Sequence, residues 1–300
     1  MLGLVLALFT GFAFATNNML LRKGMHISGE SVSPVFIATL HGVVVCGFAV
    51  VFTGDISRLA SVSWLGVISL AVAGILHFVV GTALNYSGIR LIGATRAAPI
   101  FSSSSIIAAV VGSVFFGEQF TLTLLLAISL VMGGVILIGV AGEKRTAQSN
   151  IHSGSLVKGI TAALGGAVCW GVSPAFIKIG ILEVGSPLLA TFISFVAAFL
   201  ILAIALIHRD TRMKLHGLDK RSLVVFLVAS TAMSTGMIAR FYALYFSAIS
   251  LVVPLINSAR IVSLFPLSYA INRRIETFNF KVIIGALAII GGIVAIFSVP

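Results

Sequence analysis

The chain has 300 residues, of which 59% are hydrophobic and only 9% are charged, and its net charge is +11. Its mean hydropathy is +1.18. Because soluble globular proteins carry about 25% charged residues, the composition excludes an ordinary soluble protein and indicates a membrane protein. The positive charge is distributed as it is in membrane loops, so we expect no nucleic-acid partner.

Apolar runs long enough to cross a bilayer follow one another along the whole chain. A spanning helix needs about 20 mostly apolar residues. Ten runs approach or exceed that length: 2–21, 34–53, 64–88, 95–116, 120–141, 157–179, 187–207, 222–247, 250–272 and 279–298. They predict an all-α polytopic membrane protein with ten transmembrane helices. The first run lacks a basic segment before it and a clear cleavage site, so we interpret it as a retained span.

Basic residues are concentrated on one side of the predicted spans. Only Arg58 and Lys178 border the even-numbered connections. Fourteen of the 19 Lys and Arg residues lie in or beside the odd-numbered connections: Arg22, Lys23, Arg90, Lys144, Arg145, Lys158, Arg209, Arg212, Lys214, Lys220, Arg221, Arg273, Arg274 and Lys281. Cytoplasmic loops carry the excess of Lys and Arg. We therefore expect an integral protein of the cytoplasmic (cell inner) membrane, with both termini outside.

The two halves of the chain resemble each other in the same order of motifs. The matched pairs are "FATNNMLLRKG" (14–24) with "WGVSPAFIKIG" (170–180), "ESVSP" (30–34) with "EVGSP" (183–187), "ALNYS" (83–87) with "ALYFS" (243–247), Glu118 with Glu276, and Gly133-Gly134 with Gly291-Gly292. They predict two five-helix repeats, 1–141 and 157–300, joined by a polar cytoplasmic linker at 142–156. Because five is odd, the repeats are inverted, which is typical of secondary transporters.

This pattern resembles the EamA-type transporters of the drug/metabolite transporter superfamily over essentially the whole chain. The matching residues are Trp170-Gly171 with its counterpart Phe14-Ala15, "GATRAAP" (93–99), "GEQFT" (117–121) and the glycine-rich last span of each half. The resemblance implies a ten-helix transporter of small metabolites, often amino acids, that frequently exports them. It also implies cytoplasmic termini, and here we follow the charge distribution instead.

Arg260 is the charged residue that lies deepest in a predicted span. A charged side chain at a helix centre costs about 2.5–3.5 kcal/mol, so a role in a polar cavity is favoured over pairing with backbone carbonyls. Its equivalent in the first repeat is Ser102, the first of four consecutive serines. Ser102 and Ser105 share a helix face, whereas Ser103 and Ser104 are expected to pack. Spans 4 and 9 are thus expected to line one cavity.

The other polar residues inside the spans leave two interpretations open. Arg96 is only one turn inside its span, where it binds substrate or extends to the headgroups, and Arg240 lies about 10 Å deep. Asparagine amides bind substrate or join helices, and aromatic side chains line a cavity or fill the core. The candidate substrate-binding residues are Arg260, Ser102, Ser105, Asn257, Arg240, Arg96, Asn17, Trp170 and Tyr242.

Two histidines and two glycine pairs complete the candidates. His41 and His77 lie near mid-span, where each is a packed structural residue or a weak candidate for proton coupling. The Gly133-Gly134 and Gly291-Gly292 pairs permit close helix contact, which includes an interface in a homodimer. Glu118 and its repeat counterpart are expected in the first turn of the fifth and tenth helices, where the helix dipole favours a carboxylate.

The charges inside the spans define the expected function. No span carries Asp or Glu at mid-depth, and the central charge is positive. We therefore expect a secondary transporter that moves anionic or zwitterionic metabolites, such as amino acids or organic acids, by alternating access. The alternative is a protein that transports or senses a phosphate-bearing lipid headgroup. No nucleophile–base pair, Walker A motif or metal-ligand spacing is present, so we expect neither an enzyme nor a cofactor or metal.

Overall fold

A computed structural model of the chain describes residues 1–28, 33–92, 97, 100–119, 121–142, 153–204, 218–271 and 280–298. Within these ranges the backbone is helical apart from short turns, and it contains no strand. The elements are α1 (Leu2–Ser28), α2 (Ser33–Phe52), a 3-10 helix (Asp55–Ser61), α3 (Trp64–Ile92), α4 (Ser104–Phe116), α5 (Leu122–Gly142), α6 (Ser153–Val184), α7 (Pro187–Ile204), α8 (Lys220–Phe246), α9 (Ile249–Ile271) and α10 (Phe280–Phe297). Helix α3 contains a π-helical stretch at Ile75–Gly81.

Six of the described helices are long and apolar enough to cross a membrane, namely α1, α2, α3, α6, α7 and α8. Shorter apolar segments occur at Ile100–Phe116, Leu122–Ile138, Ile249–Leu264 and Ile283–Phe297. Each of the predicted runs overlaps one of these helices or segments. The all-α polytopic fold is therefore consistent with the structure, while the number of spans stays a prediction.

The chain forms two compact units. Unit 1 consists of Met1–Val79 and Phe176–Phe246, and unit 2 consists of Val80–Ala175 and Ser247–Pro300. Each unit therefore takes segments from both predicted repeats. The repeats are defined by sequence similarity and the units by contacts, so the repeat boundaries stay a prediction.

Helices α1 and α8 pack against each other in antiparallel orientation in unit 1. A β-carbon on Gly24 would overlap the ring of Phe226, and one on Gly236 would lie 3.0 Å from the ring of Phe14. The Thr10 hydroxyl also lies 3.3 Å from the carbonyl oxygen of Gly236. Small residues let helix backbones approach closely. This close packing matters in lipid, where the hydrophobic effect does not drive helices together. The two glycines thus set the close contact of this pair.

Helix α7 of unit 1 begins at Pro187, and Ser186 caps its N-terminus. Pro187 is the first helical residue, where its missing N–H is not needed, and the backbone N–H of Leu189 donates to the Ser186 hydroxyl at 3.2 Å. Ser186 in turn donates to Asp55 at 2.7 Å. The Ser-Pro of the second repeat motif is therefore a helix N-terminus that is tied to the 3-10 helix.

In unit 2, where α5 packs against α10, only one glycine of each predicted pair contacts the facing helix. A β-carbon on Gly134 would lie 2.5 Å from the carbonyl oxygen of Gly285, and one on Gly292 would lie 2.8 Å from that of Ala127. Nothing lies within 4 Å of the corresponding positions on Gly133 and Gly291. One glycine of each pair therefore packs inside the chain, and a homodimer through the other stays a prediction.

Glu118 caps a helix other than the one for which it was predicted. Its carboxylate accepts hydrogen bonds from the backbone N–H groups of Ile249 at 2.7 Å and Ser250 at 2.8 Å. These belong to the first turn of α9, whose N–H groups have no partner within the helix. Gly117, with φ of +64°, ends α4 and turns the chain towards α9. The Glu118 carboxylate does interact with the N-terminus of a helix, as predicted, but that helix is α9 and not the fifth helix. Glu276 lies outside the described residues.

Candidate functional site

A buried polar contact joins α4 and α9 in unit 2. The Asn257 amide donates to the hydroxyls of Ser105 at 2.9 Å and Ser104 at 3.2 Å. All three residues are less than a tenth exposed. The structure therefore brings together two predicted site residues, Asn257 and Ser105. It adds Ser104, which was expected only to pack, because one amide nitrogen carries two hydrogens and reaches two successive serines.

Arg260 and Trp170 form the second part of the same cluster. The guanidinium carbon of Arg260 lies 5.7 Å from the centre of the Trp170 ring, within the range of a cation–π contact. The centre of the Phe101 ring lies 5.8 Å from that of Trp170 and supports it. Because Arg260 is three residues after Asn257 on α9, both side chains lie on one helix face. We call Arg260, Asn257, Trp170, Ser104 and Ser105 the Arg260 cluster.

Glycines beside Trp170 bring α6 close enough to complete this cluster. A β-carbon on Gly171 would lie 2.6 Å from Cβ of Ile107 and 3.0 Å from the carbonyl oxygen of Ser104. One on Gly166 would lie 2.8 Å from the Phe101 ring. The Trp-Gly pair of the sequence motif therefore has a physical basis, since the glycine permits the contact with α4.

The guanidinium of Arg260 is the free charge of the cluster. Its side chain is half-buried, and among the described residues it has no hydrogen bond or ion pair beside its contact with Trp170. A guanidinium offers five N–H donors in a planar fork that matches a carboxylate or phosphate. The cluster thus presents donors to an anion, with an aromatic wall and amide and hydroxyl groups beside it.

Arg240 and His77 form a separate buried pair in unit 1. Both are less than a tenth exposed, and Nη1 of Arg240 lies 3.1 Å from each ring nitrogen of His77. His77 lies in the π-helical stretch of α3, a conformation often found at functional sites. The sequence left substrate binding and extension to the headgroups open for Arg240. The contact with His77 is neither of these, and a substrate-binding role of Arg240 stays a prediction.

His41 contacts a different part of α8. Its Nδ1 lies 3.2 Å from the Ser234 hydroxyl, and its Nε2 lies 3.3 Å from the Thr231 hydroxyl. Both hydroxyls also donate to carbonyls one turn earlier on α8, Ser234 to Ser230 at 2.9 Å and Thr231 to Leu227 at 3.0 Å. The His41 ring is half-buried between two oxygens of one helix.

The remaining predicted site residues have varied surroundings. Asn17 is 6% exposed, and among the described residues its side-chain oxygen has no hydrogen-bond partner. Ser102 is buried next to the Arg260 cluster in sequence. Tyr242 is half-buried, with its ring 6.4 Å from that of Phe246. Arg96 lies outside the described residues. The binding roles of all these residues stay predictions.

Two residues that shape the sites, Phe101 and Ser234, are not among the residues predicted from the sequence. Phe101 precedes the four serines and supports Trp170, and its proximity to the predicted polar positions was the available signal. Ser234 binds His41 from a helix 193 positions further along the chain, and no local signal marks it among the serines of α8.

The all-α fold, the long apolar helices and the polar residues buried between them define an integral membrane protein. The EamA-like transporter family matches the chain at residues 1–140 and again at residues 157–298. The chain therefore belongs to the EamA-like transporter family, a family of membrane transporters in the drug/metabolite transporter superfamily. The two matches fall on the two predicted halves.

A solved structure titled "Crystal structure of protein" shares the fold, with a TM-score of 0.75 and 14% sequence identity. The match covers 97% of this chain and 95% of that chain. No curated protein matches the chain.

Proposed function

We propose that this protein is a secondary transporter that moves small anionic or zwitterionic metabolites, such as amino acids or organic acids, across the cytoplasmic membrane. Its ten spans form two inverted repeats, and both termini face outward. The family membership supports transport, and the excess of Lys and Arg at the odd-numbered connections supports the orientation. Alternating access between the repeats is the mechanism that such an architecture uses.

The half-buried Arg260 guanidinium, which has no ion pair among the described residues, carries the proposal on substrate charge. A positive charge within a membrane protein is costly unless it meets an opposite charge or faces water. A carboxylate or phosphate would accept two parallel N–H bonds from the planar fork. The Asn257 amide and the Ser104 and Ser105 hydroxyls lie one turn away and bind the other polar atoms of the substrate.

The lipid alternative requires an arginine that is accessible to a headgroup. Arg240, one of the two residues that would serve it, is 4% exposed and lies against His77. This burial favours the soluble metabolite over the lipid headgroup.

Replacing Arg260 by Gln is expected to abolish stabilisation by anionic ligands. We would follow thermal unfolding of the purified protein in detergent with amino acids, dicarboxylic acids, glycerol phosphate and phosphatidylglycerol. A ligand at about 100 times its Kd adds about 2.7 kcal/mol of stability. We expect stabilisation of the parent protein by a soluble anion or zwitterion and none of the Arg260→Gln variant.

The matched control is Arg58→Gln, because Arg58 is an exposed residue paired with Asp55 in the 3-10 helix, with 3.2 Å between Nε and Oδ1. It should leave ligand stabilisation unchanged. Equal stabilisation of Arg260→Gln, or stabilisation of the parent by cations alone, would show that the substrate class is wrong. Stabilisation by phosphatidylglycerol without glycerol phosphate would favour the lipid alternative.

A further inference from the structure

We propose that His41 is a proton-binding site of this transporter, formed by its ring and the hydroxyls of Thr231 and Ser234. The use of this proton in transport rests on the proposed function, but the proton site itself does not. His41 and His77 have similar positions within their predicted spans, but their hydrogen-bond partners differ.

Hydrogen bonds around His41 suit a ring that carries two protons. The hydroxyl protons of Ser234 and Thr231 are donated to the carbonyls of Ser230 and Leu227. Each hydroxyl oxygen then faces His41 as an acceptor, at 3.2 and 3.3 Å from the two ring nitrogens. Only the imidazolium form has a hydrogen on both nitrogens. It is the form that completes every bond in this arrangement.

A neutral His41 ring changes the contact between α2 and α8. One of its nitrogens then lacks a hydrogen, so the facing hydroxyl must rotate to donate to the ring. That hydroxyl releases the carbonyl one turn earlier on α8. Binding and release of a proton therefore alter hydrogen bonds along α8, the helix that also carries Arg240. Thr231 is exposed, so the Nε2 side of the ring lies near the surface of the fold.

His77 has the opposite surroundings. The guanidinium of Arg240 has donors and no acceptor, and it lies 3.1 Å from both ring nitrogens. Because the lone pairs of the two ring nitrogens point apart in the ring plane, an Nη1 atom at equal distances from both lies over the face of the ring. A ring with hydrogens on both nitrogens would place a second positive charge directly beside that of the guanidinium. Arg240 therefore holds His77 as a neutral ring, and His41 is the residue of the two that takes the proton.

The charged groups near His41 leave this assignment intact. Helices α7 and α8 and the 3-10 helix pack against α2. Helix α7 contains no titratable residue, and the 3-10 helix contains the Asp55–Arg58 ion pair at the far end of α2. On α2 the other titratable group is Cys46. Helix α8 carries Lys220, Arg221, Arg240, Tyr242 and Tyr245, of which Arg240 is six residues beyond Ser234, about 9 Å along the helix.

The test is a proton titration of the purified protein in detergent, with its six histidines labelled with ¹⁵N. Ring nitrogen signals report whether each ring is neutral or charged between about pH 5 and 8, around the usual range of histidine. Signals of the two residues are assigned by their loss in His41→Gln and His77→Gln. We expect His41 to become charged within this range and His77 to stay neutral throughout. A neutral His41 at the acid end, or a charged His77, would overturn the proposal.

Thr231→Val and Thr235→Val provide a matched pair of variants on the same helix. Both threonines are exposed and donate to a carbonyl one turn earlier, but Thr231 also faces His41. Hydrogen bonds to charged groups are strong enough that losing one should lower the ratio of charged to neutral His41 by about tenfold. Thr235→Val should leave that ratio unchanged. Equal effects of the two variants would refute the role of the Thr231 oxygen.

The titration uses the proton alone, so its result does not depend on the transported compound. If no compound stabilises the parent protein while His41 titrates as expected, the proposed function fails and the proton site stands. If ligands bind and His41 stays neutral, the proton site fails and the transport proposal stands.

Discussion

Replacing Glu118 by Ala is expected to lower the free energy of unfolding by about 3–6 kcal/mol, because each of two hydrogen bonds to a charged group contributes about 1.5–3 kcal/mol. The carboxylate accepts the N–H groups of Ile249 and Ser250 at 2.7 and 2.8 Å. Without it, two backbone donors at the start of α9 lose their partner. Equilibrium unfolding in detergent micelles, followed by circular dichroism, measures the loss.

The position of Glu118 also affects the candidate site, because α9 carries Asn257 and Arg260. A frayed first turn would loosen the helix that holds both side chains. Glu118→Gln keeps one acceptor oxygen and should fall between the parent and the Ala variant in stability.

Glu183→Ala is the matched control for this prediction. Glu183 is also a glutamate at a helix end, but it is exposed and is bonded to the Ser63 hydroxyl at 2.6 Å. Exposed interactions of this kind contribute about 1 kcal/mol or less. A loss as large for Glu183→Ala as for Glu118→Ala would contradict the cap described for α9.

Gly74→Ala is expected to destabilise the protein by about 3 kcal/mol, at the upper end of the usual range for overpacked cores. The added β-carbon would overlap the backbone carbonyl of Ser194 in α7. A backbone atom cannot rotate away as a side chain does, so α3 and α7 would have to separate. Separation would also break the 3.0 Å bond from the Ser194 hydroxyl to the Leu70 carbonyl. The same unfolding measurement detects the loss.

Gly133→Ala makes the same chemical change in a helix where nothing lies within 4 Å of the added carbon. Alanine has a helix propensity about 1 kcal/mol better than that of glycine, so stability should be unchanged or slightly higher. If Gly74→Ala matched Gly133→Ala, the close contact of α3 and α7 would be refuted.

Some features of this protein followed from the sequence because they depend on composition and spacing. Apolar runs of about 20 residues predicted a helical membrane protein, since the bilayer requires every backbone group to bond within its own helix. The ordered matches between the two halves predicted the family, which the matches at 1–140 and 157–298 confirm. The depth of Arg260 within its apolar run predicted a role in a polar cavity, and that role stays a prediction.

Contacts between helices could not be predicted in the same way. These helices are apolar on most of their circumference, and lipid is as apolar as a protein core, so the sequence carries little information on which face packs inward. Glu118 was therefore predicted for the wrong helix, because its partner Ile249 is 131 residues away. Gly133 and Gly134 likewise look equivalent in sequence, yet only Gly134 contacts α10.

His41 and His77 show most clearly which features follow from the sequence and which need the tertiary structure. The sequence determined that both lie within apolar spans, and it left open whether either binds a proton. The tertiary structure decided between them by placing a guanidinium against His77 and two hydroxyl oxygens against His41. The physical reason is that the charge of a histidine depends on its hydrogen-bond partners, and these come from α8, more than 160 residues further along the chain.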